Sequence, residues 1–218
     1  MRPKEFEYFV EALKSLPSIS TKNANKIAYF FLENDDSFYN SFLNRLTSLK
    51  TTIKFCNNCN NLTTDSIYCD ICNTESRDKE KLCIVSYLED LEKIEQSNSF
   101  SGLYYVLNSE INHKDLKTSK KINLEKLESM ILKYHIKEVL ICTNMTINGE
   151  VTCSYIKNFL KEKKFNVEIF RLALGIPMNA SIEYIDWESL KYSIAVSYTH
   201  LIAHETGAYL VCRLLLEK

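Results

Sequence analysis

The chain has 218 residues, with a hydrophobic fraction of 45% and a charged fraction of 25%. These fractions are ordinary for a globular protein and argue against an intrinsically disordered chain. The formal net charge is −1, which excludes a basic character spread over the whole chain, so any face that binds nucleic acid must be a local concentration of Lys and Arg.

The expected location of the protein follows from its N-terminus and its apolar runs. No run approaches the roughly 20 residues that a membrane helix requires, and residues 1–5 do not begin a signal peptide. We therefore expect a cytoplasmic protein. In a reducing cytosol, the eight cysteines favour metal binding and buried thiols over disulfides.

Three helices are predicted over residues 1–54. Apolar side chains recur at helical spacing in groups that begin at Phe6, Ala24 and Tyr39. Residues 17–21 form a tight turn between the first two helices, and their Ser and Thr side chains can cap the second helix.

Residues 16–28 have the outline of a helix–hairpin–helix DNA-binding element, in which N–H groups at a helix N-terminus bind a phosphate. Lys22 and Lys26 lie four residues apart on one helix face and can add phosphate contacts without sequence preference. Such hairpins usually contain Gly-x-Gly, where this chain has Ser18-Ile19-Ser20, and serine lacks the freedom of glycine at positive φ. A plain helical hairpin with solvated lysines is the alternative.

Residues 55–76 contain two C-x-x-C motifs, formed by Cys56 with Cys59 and by Cys69 with Cys72. Each motif brings two thiolates to one ion, and two motifs complete a tetrahedral site with no open position for water. We therefore predict one structural zinc ion, which supplies folding energy that this short polar segment lacks. A rubredoxin-type iron centre, two disulfides or chance are the alternatives. Packing roles are expected for three further cysteines in apolar contexts, Cys83, Cys142 and Cys153.

Strands and helices are predicted to alternate from residue 80 onward. The apolar runs that predict strands are residues 82–85, 104–107, 138–142 and 167–170. The segments that predict helices are residues 90–96, 124–134 and 151–161. The fold class is therefore α+β with several modules: an N-terminal helical hairpin bundle, a small four-cysteine zinc finger, and an α/β domain with a mainly parallel sheet.

Residues 196–218 follow none of these patterns. When back-translated, Val196-Ser197-Tyr198-Thr199-His200-Leu201 matches the mosaic end of a transposon-based sequencing adapter, and most of the following residues match the same adapter in the same frame. We interpret this segment as translated adapter sequence, so we expect its His and Cys residues to belong to no site and the native C-terminus to be missing. A natural amphipathic helix is the alternative, and the same codons in an independently sequenced genome would contradict our interpretation.

The order of these modules resembles the RecR family of bacterial recombination mediators over residues 1–195. The resemblance is carried by the hairpin at residues 16–28, the four cysteines, residues 82–85 with Asp90, residues 101–107, residues 148–152, residues 175–177 and residues 183–186. It implies a helix–hairpin–helix region at residues 1–54, a zinc finger at 55–76, a Toprim domain at 78–172 and a C-terminal strand and helix segment at 173–195.

Two positions in the second half depart from the family pattern. Ser86 stands where the family usually carries Glu after the first Toprim strand, and Asn179-Ala180 replace a Gly-Gly pair. Catalytic Toprim domains hold Mg²⁺ with that Glu and with an Asp-x-Asp after a later strand, but here that strand leads into Thr143-Asn144-Met145. We therefore expect a non-enzymatic protein with no catalytic residues.

The resemblance implies a DNA-binding, ring-forming protein that works with RecO, and in many bacteria with RecF, to load RecA onto single-stranded DNA coated by SSB. Lys22 and Lys26 are the expected DNA contacts. An acidic Toprim surface is expected to bind RecO, with Glu150 and Asp90 as its candidate residues, although both can equally be charges at helix starts. A Toprim nuclease or primase, and a zinc-ribbon interaction module without DNA contact, are the alternatives.

Overall fold

A computed structural model of the protein describes residues 2–194, except residues 65, 174, 177, 178, 188 and 192. The segment interpreted above as adapter sequence lies outside the described residues. Contacts divide the chain into two compact units: residues up to 57 with residues 62–69, and residues 58–61 with those from 70 onward. None of the described helices is long and apolar enough to span a membrane.

The first unit contains three helices and a two-stranded antiparallel hairpin. The helices are α1 (Lys4–Lys14), α2 (Thr21–Glu33) and α3 (Asp36–Thr52), and the strands are β1 (Ile53–Phe55) and β2 (Leu62–Thr64). Small side chains let α1 and α2 approach closely, since Ala24 and Ala28 of α2 are buried together with Val10 of α1. The three helices predicted from apolar spacing are confirmed.

Helix α3 contacts α2 through aromatic rings and keeps most of its own surface in solvent. The Phe31 ring of α2 lies 5.1 Å from the Phe42 ring and 6.0 Å from the Phe38 ring, measured between centroids. No residue of α3 is buried, and Leu46 and Leu49 are 54% and 60% exposed. Apolar side chains left uncovered along a helix are typical of a surface that binds another protein.

The second unit is built on a four-stranded parallel sheet in the order β4–β3–β5–β6. Its strands are β3 (Asp78–Val85), β4 (Gly102–Val106), β5 (Glu138–Cys142) and β6 (Glu168–Arg171). Its α-helices are α4 (Asp70–Asn73), α5 (Leu88–Gln96), α6 (Leu124–Tyr134) and α7 (Ile147–Glu162), and 3₁₀ helices span Leu116–Lys121 and Ile182–Tyr184. All of β4 is buried, as expected for a parallel sheet. The predicted fold class is confirmed.

Hydrogen bonds explain where the structure departs from the predicted element bounds. Strand β3 begins four residues before the apolar run, because Asp78 pairs with Gly102 and Lys81 pairs with Glu138. Helix α7 begins at Ile147 instead of residue 151, because the Thr146 side chain accepts a hydrogen bond from the N–H of Gly149 at 3.1 Å. By contrast, β5 and α6 begin and end where the sequence predicts.

Candidate metal centre and nucleic-acid interface

The two C-x-x-C motifs come together in space. Cys56, Cys59, Cys69 and Cys72 are all buried, and their sulfur atoms all lie within 4.8 Å of one another. Cys56 follows β1, while Cys69 directly precedes the short helix α4 that carries Cys72. Among the described residues, these four are the one group of three or more His, Cys, Asp or Glu side chains that could hold a metal ion.

Hydrogen-bond donors surround the cysteine sulfurs. The N–H of Cys69 donates to Sγ of Cys56 at 3.3 Å, the N–H of Asn61 to Sγ of Cys59 at 3.4 Å, and Nδ2 of Asn58 to Sγ of Cys72 at 3.6 Å. Such donors stabilise the thiolate form that binds metal. Four clustered thiolates with no carboxylate or histidine among them suit a soft ion in a closed, structural site.

The first C-x-x-C motif is anchored to the end of β4. The N–H of Val106 donates to the carbonyl oxygen of Cys59 at 2.9 Å, and Nδ2 of Asn60 donates to the carbonyl oxygen of Val106 at 2.8 Å. Asn60 holds φ at 63°, a conformation that asparagine tolerates better than most residues. The backbone between Cys59 and Asn61 is therefore fixed by residues far away in the sequence.

The remaining described cysteines pack in the core. Cys83, Cys142 and Cys153 are all buried, as the sequence predicts. A hydrogen bond with Cys142, reinforced by burial, raises the pKa of the Cys83 thiol. Cys83 therefore stays protonated and acts as a small apolar side chain, not as a metal ligand.

The turn between α1 and α2 adopts a hairpin conformation with serines in place of glycines. Ser18 holds φ at 63°, in the left-handed region that glycine enters most easily. Ser20 is extended, and its side chain accepts a hydrogen bond from the N–H of Asn23 at 3.3 Å. The predicted capping of the second helix is therefore confirmed.

Lys22 and Lys26 both lie exposed on the first two turns of α2. Their spacing places them on one face of the helix, while Ala24 and Ala28 occupy its buried side. Neither lysine forms an ion pair with a described residue. Both cations can therefore meet a phosphate without first breaking an internal contact.

Glu110 is a carboxylate that the sequence did not reveal. Ser86 is completely buried after β3, and its Oγ donates to Oε1 of Glu110 at 2.7 Å. Asn144, which follows β5, donates to the same oxygen from its N–H at 3.2 Å and from Nδ2 at 3.0 Å. Burial, and then the charge of Glu110, raises the pKa of Tyr87. The carboxyl ends of parallel strands meet at one edge of a sheet. The position of Glu110 soon after β4 was therefore the one sign in the sequence that this carboxylate could lie near Ser86 and Asn144.

The two acidic residues predicted to bind a partner both lie at helix starts. Asp90 is in the first turn of α5 and accepts a hydrogen bond from the N–H of Tyr87 at 3.0 Å. Glu150 is in the first turn of α7, is exposed, and forms an ion pair with Arg171. The same Arg171 donates to Oγ1 of Thr143 at 2.7 Å. These two carboxylates therefore already have internal partners.

Comparison with known proteins finds one matching domain family and several similar proteins. The Toprim domain family model matches residues 80–173. The chain is 42% identical over 194 residues to recombination protein RecR of Ureaplasma urealyticum, which covers 89% of this chain and 96% of that protein. It is 33% identical over 192 residues to recombination protein RecR of Finegoldia magna, covering 88% of this chain and 95% of that protein. The RecR of Chromobacterium violaceum is also 33% identical, with coverage of 88% and 96%. The chain therefore belongs to the RecR family of recombination proteins.

Proposed function

We propose that this protein is a DNA-binding recombination mediator of the cytoplasm. In this role it acts with RecO, and with RecF where RecF is present, to help load RecA onto single-stranded DNA coated by SSB. The observation that carries the proposal is the similarity to RecR proteins over 89% of the chain. DNA contact is the part of the proposal that this chain's own side chains support most directly.

Lys22 and Lys26 are the proposed phosphate contacts. They are exposed, lie on one face of α2 and follow a turn of hairpin geometry. Contacts to phosphates carry no sequence information and weaken with salt, because binding releases counterions from the DNA. An oligomer would repeat this weak contact and raise the overall affinity through avidity.

The test is a titration of labelled single-stranded DNA with the full-length protein at several salt concentrations. Combining Lys22→Ala with Lys26→Ala should weaken binding roughly tenfold at low salt and lower the slope of log affinity against log salt by about 0.7 for each phosphate that is no longer neutralised. The matched control is Lys4→Ala with Lys50→Ala, which removes two exposed lysines of the same unit. Full affinity in the first pair would contradict the role, and no DNA binding by the unaltered protein would favour an interaction module.

We propose that the cysteine cluster holds one structural zinc ion, with Cys56, Cys59, Cys69 and Cys72 as its ligands. Zinc favours a tetrahedral four-thiolate site, and its affinity for thiolates would stabilise the surrounding polar segment. The ion itself takes no part in DNA binding in this proposal, because its coordination leaves no open position.

We also propose that the protein is not an enzyme. The Toprim positions that hold Mg²⁺ in catalytic relatives carry Ser86 and Thr143-Asn144-Met145 here, none of which is acidic. Magnesium-dependent cleavage of a labelled DNA strand, or synthesis from it, by the purified protein would contradict this proposal.

An acidic surface containing Glu150 and Asp90 is the proposed docking site for RecO. Glu150 is the better probe, since Asp90 is needed to cap α5. Glu150→Lys should weaken RecO binding, while Glu162→Lys, a matched exposed change at the other end of α7, should not. Glu150→Gln serves as a second variant, because it removes the charge without placing a cation beside Arg171. Normal RecO binding by both Glu150 variants would remove this assignment.

A further inference from the structure

A second group of lysines lies in the Toprim domain, between β4 and α6. The lysine segment, residues 114–121, contains four lysines and one acidic residue, Asp115. Lys114 stands just before the 3₁₀ helix Leu116–Lys121, and Lys117, Lys120 and Lys121 stand within it. In a 3₁₀ helix the side chains at i and i+3 are eclipsed, so Lys117 and Lys120 point to the same side.

All four lysines of this segment are exposed. None of them forms an ion pair with a described residue. Asp115 does not neutralise them through a side-chain contact, since its Oδ1 instead accepts a hydrogen bond from the backbone N–H of Lys117 at 3.1 Å. The lysine segment is therefore a local positive surface on a chain whose net charge is close to zero.

Hydrogen bonds hold the lysine segment in one conformation. Oγ1 of Thr118 accepts from the N–H of Asn112 at 2.8 Å and donates to the carbonyl oxygen of Asp115 at 2.7 Å. The preceding residue, His113, is bonded through its N–H to Oδ1 of Asn148 on α7 at 3.0 Å. A segment fixed in this way loses less conformational entropy on binding than a free loop would.

A cavity of about 490 Å³ adjoins the lysine segment. Lys120 and Lys121 line it, and so does the half-buried Tyr155 of α7. Glu125 is the one acidic residue among its described lining residues. Cations next to an aromatic ring are the combination that binds single-stranded nucleic acid, since the cations meet the backbone and the ring stacks on a base.

We propose that the lysine segment and Tyr155 form a second binding site for single-stranded DNA. Lys117, Lys120 and Lys121 contact the phosphate backbone, and a base enters the cavity to stack on Tyr155. This inference rests on the proposed function in that it requires the protein to bind DNA. It adds a site that is separate from Lys22 and Lys26.

The test is the binding of a labelled thymidine homopolymer to the full-length protein across a salt series, followed by fluorescence anisotropy. The lysine-segment variant combines Lys117→Gln, Lys120→Gln and Lys121→Gln. Its matched control combines Lys93→Gln, Lys157→Gln and Lys161→Gln, which removes the same charge from three exposed positions of the same unit that form no described ion pair. All substitutions are at exposed side chains, so both proteins should fold.

The lysine-segment variant is expected to bind roughly tenfold more weakly than its control at low salt, with a salt slope smaller by about 2, since each phosphate of a single strand that is no longer neutralised removes about 0.7. Equal affinity and equal slope in the two triple variants would overturn the inference. If the lysine-segment variant binds DNA as tightly as its control while Lys22→Ala with Lys26→Ala binds weakly, the proposed function is kept and the second site is rejected. If the unaltered protein does not bind the homopolymer, both the proposed DNA binding and the second site are rejected.

Two single changes test the cavity itself. Tyr155→Leu should weaken binding by between about fivefold and a hundredfold without changing the salt slope, because stacking involves no counterion release. Glu125→Gln should strengthen binding, since it removes the acidic side chain that lines the cavity. Unchanged affinity of the Tyr155→Leu variant for DNA would overturn the stacking role of Tyr155. Weaker DNA binding by the Glu125→Gln variant would overturn the placement of the DNA strand in this cavity.

Discussion

At the scale of single residues, the turn before α2 shows two serines with different roles. Ser18 holds φ at 63°, which costs a residue other than glycine roughly 1–2 kcal/mol. Ser20 is extended and caps α2 through its hydroxyl oxygen. The backbone conformation of Ser18 therefore destabilises the hairpin, and the cap formed by Ser20 stabilises it.

Opposite effects on stability are expected from changes at these two positions. Ser18→Gly should raise the free energy of unfolding by about 0.5–1 kcal/mol, which is the relieved strain less the added freedom of glycine in the unfolded chain. Ser20→Ala should lower it by about 1 kcal/mol, because the N–H of Asn23 loses its acceptor. Urea unfolding followed by circular dichroism measures both. A loss of stability in Ser18→Gly would contradict the strain at residue 18.

The sequence predicts local chemistry better than contacts that depend on strand order. The C-x-x-C spacing identifies all four clustered cysteines, because each pair lies within four consecutive residues, the first in a turn and the second at the start of α4. Ser86 is recognised as a missing carboxylate, yet its partner Glu110 is not, since the two meet only because β3 and β4 are neighbours in the sheet. The spacing of residues along the chain does not show which strands are neighbours in the sheet.

At the scale of elements, we expect residues 55–76, which carry the four clustered cysteines, to owe their stability to a bound metal ion more than to side-chain packing. Cys72→Ser is expected to reduce bound zinc from one ion per chain to well below one and to lower stability, because three thiolates and a hydroxyl bind zinc poorly. Cys153→Ala is the control, since it alters a buried cysteine of α7 outside the cluster. It should keep the full zinc content while losing a little packing energy.

Metal content by plasma mass spectrometry, together with thermal unfolding before and after chelation, measures this difference. Equal zinc content in the two variants would contradict the ligand assignment. Iron in place of zinc in the purified protein would keep the ligands and change the identity of the ion.

Element bounds were predictable where the pattern of apolar residues coincides with the element. For β5 and α6 it does, and both match the prediction. Strand β3 extends into charged residues, where pairing with β4 and β5 decides the conformation and the apolar pattern gives no signal. The three-residue strands β1 and β2 were not predicted for a related reason, since a hairpin that short has no readable alternation.

At the scale of the whole molecule, the uncovered surface of α3 bears on the ring that the resemblance to the RecR family implies. Leu46 and Leu49 of this helix are more than half exposed, and none of its residues is buried. We propose that a second copy of the chain covers this helix. The unaltered protein should then have a mass in solution that is a multiple of 25.4 kDa.

Leu46→Arg combined with Leu49→Arg should shift the protein toward the mass of one chain, because charges would have to be buried in the contact. The matched control is Leu116→Arg with Leu132→Arg, two leucines of the second unit that are 64% and 58% exposed. Light scattering on the two double variants measures the outcome. An unchanged mass for the α3 variant would place the contact elsewhere.

The anchoring of the first cysteine motif to the end of β4 has a consequence for biosynthesis. All four cysteines leave the ribosome before Val106, whose N–H and carbonyl oxygen hold Cys59 and Asn60. The nascent chain can therefore offer its thiolates to a metal ion before the strand that fixes the motif has emerged from the ribosome. The order of translation would thus separate binding of an ion from the fixing of its ligands. A chain released before residue 106 would keep the four cysteines and lack the two hydrogen bonds that hold Cys59 and Asn60.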